Sequence, residues 1–171
     1  MDQGLGRARP QASAKLDAIA TFHVVRHAKA GSRSHWTGDD RKRPISPKGE
    51  KQAARLVEQF KKVAVTAVFS SPYLRCVQTV EPLAKVRGLA VQESPDLAEG
   101  RGVTGLYTFF NNAELDDVVL CTHGDLVWEL VEDLTNRRVL PAFREQFEKG
   151  STWVVDVEEG TPVSARYIAA P

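Results

Sequence analysis

Thr21-Phe22-His23-Val24-Val25-Arg26-His27-Ala28 is the stretch on which the reading of this chain turns. Its first five residues form an apolar, branched run that reads as a buried strand. Arg26-His27 falls just where that strand runs out, and the small residues Ala28, Ala30 and Gly31 leave room for a ligand. A guanidinium and an imidazole fixed at a strand's end read as an anion site with a nucleophile. The same context recurs later in the chain, where Val118-Val119-Leu120-Cys121-Thr122 leads into His123 and Gly124. Two histidines at two strand ends say more together than either alone.

Outward from these strands, extended and helical stretches alternate. Gly31 to Arg43 reads as a polar loop. Ser46 is placed to cap a helix with Pro47 in its first turn, and Ala53, Leu56, Val57 and Phe60 give that helix one apolar face. Val63 to Phe69 reads as a second strand closed by Ser70-Ser71-Pro72, followed by a helix from Tyr73 to Arg87 with Gly88 as its stop. A short strand over Leu89 to Gln92, a loop from Leu97 to Gly105 and a helix over 106–115 come next. A fourth strand over Asp117 to Thr122 precedes a helix over Asp125 to Leu134, and Trp153 to Val157 with Val163 to Ile168 reads as a terminal hairpin. This order predicts an α/β fold, three layers α/β/α with a mainly parallel central sheet and an antiparallel edge strand. Residues 1–18 read as a flexible tail and 19–171 as one domain.

The composition narrows the class. At 171 residues the chain suits one domain with a full core. Its 23 basic and 22 acidic residues nearly cancel, which argues against nucleic-acid binding through bulk charge, so any anion site must arise from local clustering. No apolar run is long enough to span a membrane, and nothing at the N-terminus reads as a secretory signal. Two cysteines make no disulfide framework, and a reduced, cytoplasmic setting is the simplest expectation. The edge of the terminal hairpin leaves a homodimer open.

In open α/β sheets ligands sit beyond the carboxyl ends of the strands. Arg26-His27, Ser70-Ser71-Pro72-Tyr73-Leu74-Arg75 and Thr122-His123-Gly124 all fall at that edge. If their strands are neighbours, one rim holds two imidazoles, two guanidiniums and a helix N-terminus, a set suited to phosphate oxygens.

These motifs closely resemble those of the histidine phosphatase superfamily, the phosphoglycerate mutase-like fold. Arg26-His27-Ala28 resembles its Arg-His-Gly signature, Ser70-Ser71-Pro72 with Arg75 and Gln78-Thr79 its second motif, and Thr122-His123-Gly124 its third. Arg43-Pro44-Ile45-Ser46-Pro47-Lys48-Gly49 resembles a segment of the short bacterial SixA-type branch and of phosphatase halves that follow a Nudix domain. The residues before Thr21 are too few for a Nudix fold, so a stand-alone phosphatase or an excised half is expected.

The resemblance implies roles. His27 is the expected nucleophile, which becomes transiently phosphorylated. Arg26, Arg75 and His123 are expected to bind the phosphoryl oxygens, and Glu99 matches the family's general acid by position. Arg33, where many members have Asn, and Arg43, Ser71, Thr122 and Gly124 are expected around the phosphate. The resemblance implies no metal and no cofactor. The span between Glu99 and His123 is short, whereas the mutases carry a long insertion there. Water is therefore the expected acceptor, with a phosphohistidine protein or a nucleotide or other small-molecule phosphate as substrate. A catalytically silent phosphate-binding module and mutase-type transfer are the alternatives.

Plainer expectations attach to other residues. His23 reads as a packed histidine, Cys76 and Cys121 as reduced core residues, and Asp39 to Arg43 as a solvated loop from which Arg43 faces the pocket. Arg75 has the alternative of pairing with a helix carboxylate such as Glu81. His35-Trp36 reads as an exposed loop aromatic pair. Ser71 either donates to phosphate or caps the next helix.

Overall fold

The structure is a computed structural model that describes residues 18–171. The expected tail over 1–18 lies almost wholly outside the described residues. Six strands form one sheet in the order β3-β2-β4-β1-β5-β6: β1 Ala20–Arg26, β2 Ala67–Ser70, β3 Val91–Glu93, β4 Val118–Thr122, β5 Thr152–Glu158 and β6 Thr161–Ile168. Strands β1 to β4 run parallel, and β5 runs against both its neighbours. The predicted α/β/α layering with a mainly parallel sheet is the architecture found.

Side-chain alternation along the strands feeds two cores. Phe22 and Val24 of β1 and Val118 and Leu120 of β4 pack on one face, under α3 (Val103–Phe110) and α4 (Gly124–Asn136). Val25, Val119 and Cys121 point to the other face, under α1 (Pro47–Gln59) and α2 (Leu74–Val86). This period-two division is why strands buried on both sides read as continuous apolar runs. Ser46 caps α1 as expected, its hydroxyl accepting from the Gly49 amide at 3.2 Å.

Several boundaries differ from the sequence reading. The strand expected over Val63 to Phe69 begins only at Ala67. Val63 and Val65 instead spend their apolar character on the second core from a turn. The third strand is Val91–Glu93 rather than Leu89 to Gln92, because the Leu89 amide closes the end of α2 on the Ala84 carbonyl. Helix α3 starts earlier than expected, inside the segment read as loop. Gly102, at φ 71°, turns the chain into it, and the Glu129 carboxylate accepts from the Val103 amide at 2.7 Å. It ends by Phe110, where the Asn112 side chain takes the Glu114 amide.

Register sets the functional edge. Arg26 pairs with Thr122 and Ser70 with Cys121, so the carboxyl ends of β1, β4 and β2 lie side by side. Two further amides extend this rim beyond the strands, His27 donating to the Thr122 carbonyl and Ser71 to the Cys121 carbonyl. Because β5 is antiparallel, its beginning reaches the same rim. Among the described residues no helix is long and apolar enough to cross a membrane.

Candidate active site

His27 leaves the end of β1 with little exposed surface and with its Nδ1 2.8 Å from the Ala28 carbonyl. A carbonyl only accepts, so Nδ1 carries the proton and Nε2 the lone pair. Burial, together with the charges of His123, Arg75 and Arg26, outweighs that hydrogen bond and lowers the His27 pKa to about 3. The ring is therefore neutral at physiological pH. The Ala28 amide donates to the Thr79 hydroxyl at 2.8 Å, and Thr79 in turn donates to the Arg75 carbonyl, which ties the turn to α2.

The His123 ring stands 5.5 Å from that of His27, centroid to centroid. Its Nε2 meets the Ser71 hydroxyl at 2.7 Å and the Cys76 thiol at 3.5 Å. Its other nitrogen, Nδ1, is buried with no protein partner. Ser71 also accepts from the Tyr73 amide at 3.3 Å, so one hydroxyl both closes the turn into α2 and orients the histidine. The Cys76 thiol is pulled below its ordinary pKa. Its burial would raise it, but the neighbouring Cys121 thiol, His123 and Arg75 outweigh that effect.

Two guanidiniums flank the histidines. Arg26 donates to the Phe147 carbonyl at 2.6 Å and keeps its Nε buried without a partner. Its guanidinium lies flat against Gly124. A Cβ at that position would stand 2.7 Å from one terminal nitrogen, 2.8 Å from the central carbon and 2.9 Å from Nε. Glycine after His123 is thus a steric requirement of Arg26. Arg75 is wholly buried on α2. Its terminal nitrogens meet the Asp40 carbonyl at 2.8 Å, the Asp40 carboxylate at 3.1 Å and the Glu99 carboxylate at 3.4 Å. Its Nε, like that of Arg26, is buried and unpartnered. Three nitrogens without protein partners in one place, on Arg26, Arg75 and His123, are what an oxyanion would satisfy.

The surrounding cavity, about 610 Å³, is lined by Arg26, His27, Glu99, His123, Gly124 and both ends of the Gly31–Arg43 loop. Asp125, Phe147, Lys29 and Lys149 complete its wall. Glu99 holds Arg33 at 3.0 Å as well as Arg75. Of the predicted residues, Thr122 stands apart from the cavity wall. It is fully buried, and its hydroxyl donates to the Leu97 carbonyl at 2.7 Å, which fixes the approach to Glu99. Ser71 and Arg75 likewise sit behind the wall, with Ser71 acting through His123. Arg75 pairs with Asp40 and Glu99, not with Glu81.

The segment Asp39 to Arg43 is only partly the solvated loop expected. Arg41 is solvent-exposed, but Arg43 is buried. Arg43 donates to the Asp40 carboxylate at 2.9 Å and to the Gly31 carbonyl at 2.6 Å. Burial works against the charged form of Asp40. The Arg43 hydrogen bond and the charges of Arg75, Arg43 and Arg33 prevail and hold its carboxyl below the ordinary carboxylate range. Asp40, Asp125, Phe147 and Lys149 were missed by sequence reading. Lys149 had one available signal, since it precedes an antiparallel strand that must begin at the functional edge. His23 is packed on Phe60 as expected, and its Nε2 also lies 3.3 Å from the Asp117 carboxylate. Trp36 is partly exposed and its indole donates to the Asp39 carbonyl.

Comparison with known proteins agrees with this geometry. The family model of the histidine phosphatase superfamily (branch 1) matches residues 22–107. An 8-oxo-(d)GTP phosphatase of Mycolicibacterium smegmatis is 34% identical over 157 residues, 88% of this chain and 48% of the relative. The chain therefore spans about half the length of that relative. Among solved structures, the protein histidine phosphatase SixA complexed with tungstate superposes with a TM-score of 0.70 at 21% identity, covering 86% of this chain and 94% of that one. A candidate SixA-type phosphohistidine phosphatase from Nakamurella multipartitia gives 0.67 at 23%, covering 91% and 96%. At such identities these two likenesses speak for the fold. The family-model match and the 34% identity over most of this chain make it a member of the histidine phosphatase superfamily.

Proposed function

We propose that this chain is a metal-independent phosphohydrolase that works through a phosphohistidine on His27. The observation that carries the reading is the His27 ring, neutral, pinned through Nδ1 to the Ala28 carbonyl, and set between Arg26, Arg75 and His123. In the first step Nε2 attacks phosphorus. The bond from phosphorus to the leaving atom breaks, and its electron pair stays on that atom. Arg26, Arg75 and His123 take up the charge on the non-bridging oxygens; removing one such contact typically costs about 100- to 1000-fold in rate. Glu99, on the cavity wall, is the proton donor for a basic leaving oxygen, and Arg33 and Arg43 fix the loop that faces the phosphate. In the second step water attacks phosphorus, the Nε2–phosphorus bond breaks, and Glu99 takes the water's proton.

Water is favoured over a second substrate oxygen because little chain covers the site. Between Glu99 and His123 lie only α3 and β4, both packed into the core. Such an open site suits a phosphorylated protein or a small-molecule phosphate. The test is brief exposure of the protein to labelled substrate. An acid-labile, alkali-stable phosphoryl group should appear and be absent in His27→Ala. Unchanged p-nitrophenyl phosphate turnover in His27→Ala would remove the assignment and favour a silent phosphate-binding module.

A further inference from the structure

The cavity is much larger and more positive than one phosphoryl group needs. With Arg26, Arg75 and His123 assigned to the terminal phosphoryl, the wall still presents Lys29 and Lys149. Neither has a carboxylate partner among the described residues, whereas Arg33 and Arg43 both do. Lys149 is partly buried among Arg26, Arg43, Lys29 and Arg33, and that burial and crowding lower its pKa. Of the two carboxylates on the wall, Glu99 is held by Arg33 and Arg75, while Asp125 accepts from the Gly100 amide at 2.7 Å through one oxygen and keeps the other buried without a partner. A second anionic group beside the first would match this surplus charge.

Next to these lysines the wall becomes aromatic. Phe147 lines the cavity, with the Trp128 ring 5.1 Å away and that of Phe143 4.9 Å beyond. Trp128 sits one turn after Asp125 on α4, which places both on one side of the helix. It is 42% exposed and Phe143 is 37% exposed, so aromatic surface faces water beside Phe147, on the outer side of the cavity. Cations followed by an aromatic platform are the complement of a phosphate chain followed by a base.

We propose that the site takes a nucleoside di- or triphosphate, an inference that rests on the phosphohistidine reading above. The terminal phosphoryl sits at His27, the adjoining phosphate between Lys29 and Lys149, and the base on the Trp128–Phe143–Phe147 cluster. His27 breaks the terminal phosphoanhydride, releasing a nucleotide one phosphate shorter. Water then frees inorganic phosphate.

The test compares kcat/KM for GTP, inorganic tripolyphosphate and p-nitrophenyl phosphate within each variant, so that general damage to the fold cancels. Trp128→Ala should lower the ratio of GTP to tripolyphosphate about tenfold, the scale of one base stacked on an aromatic ring. Trp128→Phe should restore it, and Trp128→Leu replaces the alanine variant if that fails to fold. Lys149→Ala should lower the ratio of tripolyphosphate to p-nitrophenyl phosphate by a similar factor. An unchanged GTP ratio in Trp128→Ala overturns the base platform. A wild-type protein that labels His27 from p-nitrophenyl phosphate yet ignores GTP, or prefers a phosphohistidine peptide to it, overturns the nucleotide while leaving the nucleophile in place. Loss of the His27 label itself strikes the underlying reading instead.

Discussion

The Asp40 carboxylate lies 3.1 Å from a terminal nitrogen of Arg75, and the Asp40 carbonyl lies 2.8 Å from the other. One loop residue thus grips both ends of a fully buried guanidinium, while Arg43 holds its second carboxylate oxygen. Hydrogen bonds to charged groups contribute about 1.5–3 kcal/mol. Asp40→Asn is therefore expected to lower kcat about 10- to 100-fold. Asp40→Glu should recover part of the loss, which a general unfolding effect would not allow. Steady-state kinetics with a thermal melt of each variant decide it.

Gly124→Ala tests the contact beneath Arg26. The new methyl group meets the guanidinium at under 3 Å, so Arg26 must move while the surrounding cores stay intact. Activity should fall about 100- to 1000-fold, as for loss of one oxyanion contact. The melting temperature should change little. A variant with full activity would show that Arg26 can act from another position.

The pH dependence follows from the lowered His27 pKa. In the unfolded chain this imidazole titrates near 6.5, and in the folded protein near 3. Between these values the unfolded state binds more protons, so stability rises with pH there. His27 exerts its full stabilising effect above pH 6.5, and that effect is lost as pH falls toward 3. The slope from this one residue approaches about 1.4 kcal/mol per pH unit inside the window. Denaturant unfolding from pH 4.5 to 7.5, compared between wild type and His27→Gln, measures it, and ring resonances of His27 should show no titration in that range.

Glu99→Gln should separate leaving groups. An alkyl phosphate, whose alkoxide needs a proton, should lose about 100-fold or more. Turnover of p-nitrophenyl phosphate or a phosphoramidate should fall far less. Because Glu99 also holds Arg33 and Arg75, an equal loss on all substrates would assign it to positioning those guanidiniums rather than to proton transfer.

Chelation gives a separate check. Every group assigned to phosphoryl oxygens is a cation or an N–H donor of the chain itself, so turnover should be unchanged by EDTA. Its abolition, with recovery on adding a divalent ion, would end the metal-independent mechanism.

The fold and the centre of the site were legible because their signals are local. A strand that runs straight into Arg26-His27, and another into His123-Gly124, carry their own boundaries. The α/β alternation then places both at one edge. Asp40 was hidden because its buried partner Arg75 is distant in sequence and its neighbours Asp39 and Arg41 are ordinary exposed charges. Thr122 belonged to the motif but not to the cavity, since periodicity along a strand does not reveal which hydroxyl the Leu97 carbonyl will claim. Val63 and Val65 show the limit of apolar runs. Burial against a helix layer requires no ladder, so a turn can consume the same residues as a strand.

The segment that opens β5 has a consequence for the order in which the site is assembled. The Gly150 amide donates to the carbonyls of Arg26 and His27, the Ser151 carbonyl accepts from the Arg26 amide, and Phe147 takes the Arg26 guanidinium across 121 residues of sequence. Every motif that marks the family has left the ribosome before this segment does. Until it arrives, β1 is an unprotected edge strand and the Arg26-His27 peptide has only one of its two neighbours. A nascent chain halted before β5 would carry the family's motifs without the contacts that Gly150, Ser151 and Phe147 make to Arg26 and His27.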